Sequence, residues 1–232
     1  MNWLLIVVLA VLVVNALIGL KAGFIKTVFS ICSIIVALIL TLWISPTVNK
    51  VLRNNDKFYE FVNEKVEKTL PIEDAKAEAT AEQDTYINKL PLPKSLKEML
   101  IKNNTVDVYS SLAIDSFKDY ISNYLTSVII NALAFIITFL ILLIALMILC
   151  TVLNLISKLP ILNQINKTAG LAAGLVQGLI TVWILFILLT VFGGSAFGQN
   201  AFKMIEESKV LSIIYDNNLL LGFVTNASKI FF

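Results

Sequence analysis

Four stretches without a single charged side chain constrain this chain more than anything else in it: Met1–Leu20, Thr27–Asn49, Ser122–Ser157 and Thr168–Phe202. Runs of eighteen or more predominantly apolar residues are long enough to cross the hydrocarbon core of a bilayer as helix. The stretches predict a multi-span, all-α membrane protein with four transmembrane helices arranged as two hairpins. Over the whole chain 58% of residues are hydrophobic and only 15% charged, against roughly a quarter charged in soluble domains.

The expected spans are residues 3–20 and 24–44 in hairpin one (1–44), then 128–153 and 170–192 in hairpin two (128–192). Span two is predicted to stop at Ser45-Pro46, because proline disfavours helix in the residue before it. The first apolar run has no basic flank ahead of it and no small-residue cleavage site after it, so it is expected to be a retained span rather than a secretion signal.

Residues 45–127 are polar, with eleven Lys/Arg and thirteen Asp/Glu. Phe58, Phe61, Val62, Val66 and Leu70 fall at helical spacing among Glu60, Glu64, Lys65 and Lys68, which predicts an amphipathic helix with a Glu64–Lys68 pair one turn apart. Residues 73–83 read as an exposed helix or a loop. From Val106, the apolar positions Tyr109, Leu112, Phe117, Tyr120 and Tyr124 predict one unbroken helix running into span three. This segment is expected to be a helical extracytoplasmic insertion, with Phe58, Phe61, Val62, Leu112 and Phe117 as a partner face. The tail, 193–232, predicts amphipathic helices on the membrane surface or on the insertion.

Orientation follows from the two short connectors. They carry Lys21, Lys26, Lys158 and Lys167 and no carboxylate, and positive charge in short loops marks the cytoplasmic side. That places both termini and the insertion outside.

The spans carry few groups capable of chemistry. The chain has no histidine, which removes the commonest general base and metal ligand. Cys32 and Cys150 are expected to be inert thiols in hydrocarbon. No catalytic residue, cofactor site or metal site is predicted, and nothing suggests nucleic acid as a partner; the bilayer, self-association or an extracytoplasmic protein are the expected ones. Span four repeats Gly170, Gly174 and Gly178, with Gln177 and Thr181 alongside. Small residues let membrane helices approach closely, so this stripe is either a packing face within the bundle or a pore face in an oligomer. Asn15, Asn131 and Gln177, the strongly polar groups at depth, are either interhelical hydrogen-bonding groups or a polar path. Apart from Lys26 near the interface, no span holds an ionisable group other than its cysteines, which argues against ion-coupled transport.

Several of these stretches together resemble a known family. They are Asn2-Trp3, then Gly19-x-Lys21-x-Gly23-Phe24-Ile25, then the third span from Asn131 to Phe139, the connector Leu155–Pro160, and Asn166-Lys167-x-x-Gly170-x-x-x-Gly174-x-x-x-Gly178. In order and spacing they are similar to the colicin V production protein (CvpA) family of bacterial inner-membrane proteins. The resemblance covers both hairpins and does not extend to residues 45–127. It implies a link to production or export of a secreted toxin and to envelope homeostasis, and it supplies no catalytic residue. The two function classes it leaves are a non-enzymatic membrane scaffold or partner-binding module, and an oligomeric passive channel with the glycine stripe near its axis. An intramembrane enzyme ranks behind both.

Overall fold

The computed structural model describes residues 2–70, 80–112, 114–152 and 164–225. Lys158, the Leu155–Pro160 connector and most of the stretch at 73–83 lie outside them. Among the described residues the chain is all helical, with no strand. Four helices are long and apolar enough to cross a membrane: α1 (Trp3–Ala22), α2 (Phe24–Arg53), α7 (Phe117–Val152) and α8 (Gln164–Val191). Their apolar faces are largely uncovered by protein. Ile6, Leu9, Val13 and Leu17 on α1 and Ile141, Ile144 and Ile148 on α7 are exposed, which suits helices solvated by lipid rather than water.

The chain divides into two compact units. Unit one comprises residues 1–45 and 135–185, and unit two comprises 46–134 and 186–232. These limits differ from the expected segments: the ends of α7 and α8 nearest the insertion, 128–134 and 186–192, pack with unit two.

In unit one, the side chain of Asn2 accepts from the Leu5 N–H and opens α1. Gly23 ends it with φ +82°, a conformation that favours glycine, and its N–H returns to the Gly19 carbonyl at 2.8 Å. Helix α2 starts at the next residue. It does not stop at Pro46 as expected, but runs on to Arg53. Proline lacks the N–H that would reach the Leu42 carbonyl, and side-chain bonds beyond it hold the helix: Asn49 donates to Asn131, and Arg53 donates to Ser127. At about 1.5 Å per residue, thirty residues of α2 and thirty-six of α7 both exceed the roughly 30 Å of a hydrocarbon core.

Unit two is built on α3 (Asp56–Thr69), α4 (Thr80–Lys89), α5 (Lys94–Asn103), α6 (Val106–Leu112), α9 (Ala196–Glu207), α10 (Lys209–Asp216) and α11 (Leu221–Thr225), with the adjoining parts of α2, α7 and α8. The amphipathic helix expected from Phe58 onward is α3. Asn55 caps it, accepting from the Phe58 N–H at 3.1 Å, and Lys68 meets Glu64 at 2.9 Å. Its polar edge faces α7. Tyr59 donates to Asn123 at 2.7 Å, while Asn63 accepts from Ser122 at 2.6 Å and from Thr126 at 2.9 Å.

The single long helix expected from Val106 is two helices. Ser116 opens α7 by accepting from the Asp119 N–H at 3.1 Å, and its hydroxyl donates back to the Asp119 carboxylate at 2.6 Å. A local cap of this kind outcompetes continuation of the helix.

The core of unit two is aromatic and aliphatic. Tyr120 stacks on Tyr109 and lies next to Tyr124, and its hydroxyl donates to the Leu100 carbonyl at 2.6 Å. In the tail, Ser208 ends α9 and caps α10, which makes the expected bend. The tail packs on the insertion: Asp216 accepts from the Ser95 N–H at 3.3 Å, and Lys97 pairs with Glu206 at 2.6 Å. Tyr215 is buried between Phe186 and Phe202.

Candidate functional site

The glycines singled out in the sequence meet in unit one along a seam between α1 and α8. A methyl group added at Gly170 would strike the Gly19 carbonyl oxygen, and one added at Gly19 would strike the Gly170 carbonyl oxygen. At Gly174 it would strike the Asn15 carbonyl and come to 3.0 Å from the Ala16 Cα. At Gly178 the contacts are looser, 3.2 Å to both Asn15 Cβ and Leu12 Cα. The two backbones are therefore in direct contact at the connector end and slightly further apart two turns along, where the Leu12 Cα is still 3.2 Å from a Cβ placed at Gly178. Only glycine permits such an approach.

Asn15 sits on this seam, and its amide donates within its own helix, to the Val11 carbonyl at 2.9 Å, rather than between helices. Thr181 likewise donates to the Gln177 carbonyl at 2.9 Å. Asn131 does not join them. It belongs to unit two, where it accepts from Asn49 and donates to the Val224 carbonyl at 3.1 Å.

At the connector end the seam is closed by a residue whose role sequence reasoning missed. Asn166, on α8, lies against Gly23, where a Cβ would collide with its amide. Its side-chain oxygen accepts from the Ile25 N–H at 3.3 Å. The first turn of α2 thus has one of its otherwise unpaired N–H groups satisfied from another helix. The sequence signal was the glycine before Phe24, which leaves α2 without a side-chain cap of its own. Lys21 and Lys167 flank this contact, and both are exposed.

Beside the seam, unit one contains a cavity of about 450 Å³. Helix α2 contributes Lys26, Ser30 and Ser33 to it, and α8 contributes Gln177. Thr27 of α2 also lines it, its hydroxyl donating to the Gly23 carbonyl at 2.8 Å, and the other walls are apolar, among them Ile18 of α1, Phe29 of α2, and Leu143 and Met147 of α7. Gln177 therefore lines this cavity, although it lies on the same helix as the glycines. Cys32 lies on an exposed face of α2. Among the described residues no cluster of Cys, Asp or Glu side chains could hold a metal ion.

The expected partner face on unit two divides. Val62 and Phe117 are core residues, Phe117 meeting the Tyr86 ring edge-on at 5.9 Å. An apolar stripe bounded by other helices is covered by its own unit first. Phe58 and Leu112 are half-buried. Phe61 stays 59% exposed, with the Lys65 ammonium 5.7 Å from its ring centre. Tyr59, on the same helix, is largely buried, and desolvation pushes its phenol above the usual tyrosine range.

A family model described as colicin V production protein matches residues 5–69 and 108–218. The chain belongs to the colicin V production protein family. The match takes in the glycine seam, Asn166 and all four membrane-span helices, so this is a CvpA-family membrane protein linked to colicin V production. It also reaches further into the insertion than the resemblance in the sequence did, covering α3 and all but the first two residues of α6 and leaving out residues 70–107. Comparisons with curated proteins and with solved structures return no match.

Proposed function

We propose that this CvpA-family protein is a non-enzymatic scaffold of the bacterial cytoplasmic membrane, with unit two as an extracytoplasmic module that binds a protein partner. In this reading the four spans form two hairpins and both termini lie outside. The acid-free connectors with Lys21, Lys26, Lys158 and Lys167 support that orientation.

The observation that carries the reading is the occupancy of the glycine face. Residues Gly170, Gly174 and Gly178 are covered by α1 of the same chain. A passive channel with that face at its axis requires α1 to leave it, uncovering backbone that now packs at van der Waals distance. A scaffold needs only that the seam hold. Phe61, exposed on a helix whose other large apolar groups are at least half-covered, is then the first candidate contact for a partner.

The test is functional and local. In a host dependent on this protein for toxin release, Phe61→Asp should abolish release at an unchanged membrane level of protein, while Glu60→Gln on the same exposed turn should not. Full release by Phe61→Asp would contradict a partner contact on α3. Orientation is tested apart from that, in a background lacking Cys32 and Cys150. Lys94→Cys should react with a membrane-impermeant thiol reagent in intact cells, and Thr168→Cys should be shielded. The opposite pattern would invert the topology.

A further inference from the structure

We propose that unit one carries a binding site for an anionic phospholipid, with the Lys26 ammonium taking the phosphate and the adjoining cavity taking part of an acyl chain. Two independent observations converge on it. The first is the cavity, about 450 Å³ and within the size range of small-molecule pockets, which are mostly apolar with a few placed polar groups. Its polar residues are Gln177 of α8 and Lys26, Thr27, Ser30 and Ser33 of α2. Lys26, Ser30 and Ser33 recur at spacings of four and three residues and so share one helical face. Ser33 already donates to the Phe29 carbonyl at 3.0 Å, which leaves Lys26 as the charged end. Toward α7, Leu143, Leu146 and Met147 provide a wall suited to hydrocarbon.

The second observation is charge. The residues of unit one, 1–45 and 135–185, include four lysines and no aspartate or glutamate. Lys26 therefore has no carboxylate in its own unit to act as a counter-ion, and it is the one lysine that lines the cavity among the described residues. Basic pockets between membrane helices recognise acidic lipid headgroups in this way. The apolar walls distinguish the occupant from free phosphate, which would have no use for them. The site stands whether or not Phe61 binds a partner, and whichever way the chain faces.

The experiment is native mass spectrometry of the full-length protein released from detergent in the presence of phosphatidylglycerol, phosphatidylcholine or inorganic phosphate. The wild type should retain one phosphatidylglycerol about fivefold more strongly than phosphatidylcholine, the order expected for one lysine near an anionic headgroup. Lys26→Gln should remove that preference and Lys26→Arg should keep it. Ser33→Phe, which fills the cavity and leaves the charge, should also weaken retention, whereas Lys21→Gln and Lys167→Gln should not. Equal retention of the two lipids, undiminished binding by Lys26→Gln, or indifference to Ser33→Phe would overturn the site and mean that the lysine only reaches the general headgroup layer. Competition by inorganic phosphate would overturn the lipid assignment. Should Lys26→Gln fail to accumulate, the Lys26→Arg and Ser33→Phe pair still decides.

Discussion

A single methyl group separates tolerable from intolerable at the α1–α8 seam, and the tolerance is graded along it. Gly178→Ala brings a Cβ to 3.2 Å from Asn15 and Leu12, which a shift of a few tenths of an ångström relieves. Gly170→Ala and Gly174→Ala drive the same methyl well inside contact distance of carbonyl oxygens, an overlap too deep for such a shift to relieve. Overpacking typically costs about 1–3 kcal/mol. The two inner substitutions should lie at or above the top of that range and Gly178→Ala near its floor, read as loss of resistance to denaturing detergent. Equal effects at the three positions would mean that the helices are not this close at the connector end. A second residue-scale effect is set by pH. Burial raises the Tyr215 phenol above its usual range. A raised pKa means that the folded state holds the proton more tightly, so this contribution is complete below the unfolded tyrosine value of about 10 and is lost as pH climbs past it. Unfolding of unit two should steepen above that pH, and Tyr215→Phe should flatten the steepening.

At the scale of elements, polar side chains decide where helices end and which ones persist. Asn131 has both its groups engaged, with Asn49 and with the Val224 carbonyl. Truncating it leaves buried partners unpaired, at about 1–3 kcal/mol. Asn131→Ala should therefore cost this much in chemical denaturation, and Asn49→Ala combined with it should cost less than the sum of the two. Additive costs would show that the two amides do not interact. Ser116→Ala should cost about 1 kcal/mol through loss of the α7 cap. The existence of the long helices was legible in the sequence, because an uncharged run of this length has few alternatives. Their ends were less so. Pro46 read as a stop because a local preference was visible, while the Asn49–Asn131 and Arg53–Ser127 bonds that override it link residues more than seventy positions apart. The break before α7 was legible in principle, since Ser116 and Asp119 stand at cap spacing, but the continuous apolar stripe from Tyr109 to Tyr124 masked it. The glycine stripe was visible as a packing element. That its partner was α1, and that Asn166 would close the seam, depended on which helices meet, and no spacing within one helix encodes that. The same reason explains Val62 and Phe117, whose apolar character was plain and whose burial was not.

For the molecule as a whole, the two units differ sharply in composition. Unit one has lysines, glycines and exposed apolar side chains and no carboxylate, as suits helices solvated by lipid. Unit two holds all the acidic residues, the tyrosine-rich core and the tail. The family match spans parts of both. The claim on which the rest depends is that the seam closes within one chain and leaves no glycine face for a pore. Oxidation of L12C/G178C in lipid, with Cys32 and Cys150 replaced, tests it most directly, since a Cβ at residue 178 lies 3.2 Å from the Leu12 Cα. The expected product is a disulfide inside the monomer, seen as a compact single-chain band. Disulfide-linked dimers or a ladder of higher species would place α1 and α8 of different chains together, and would contradict it.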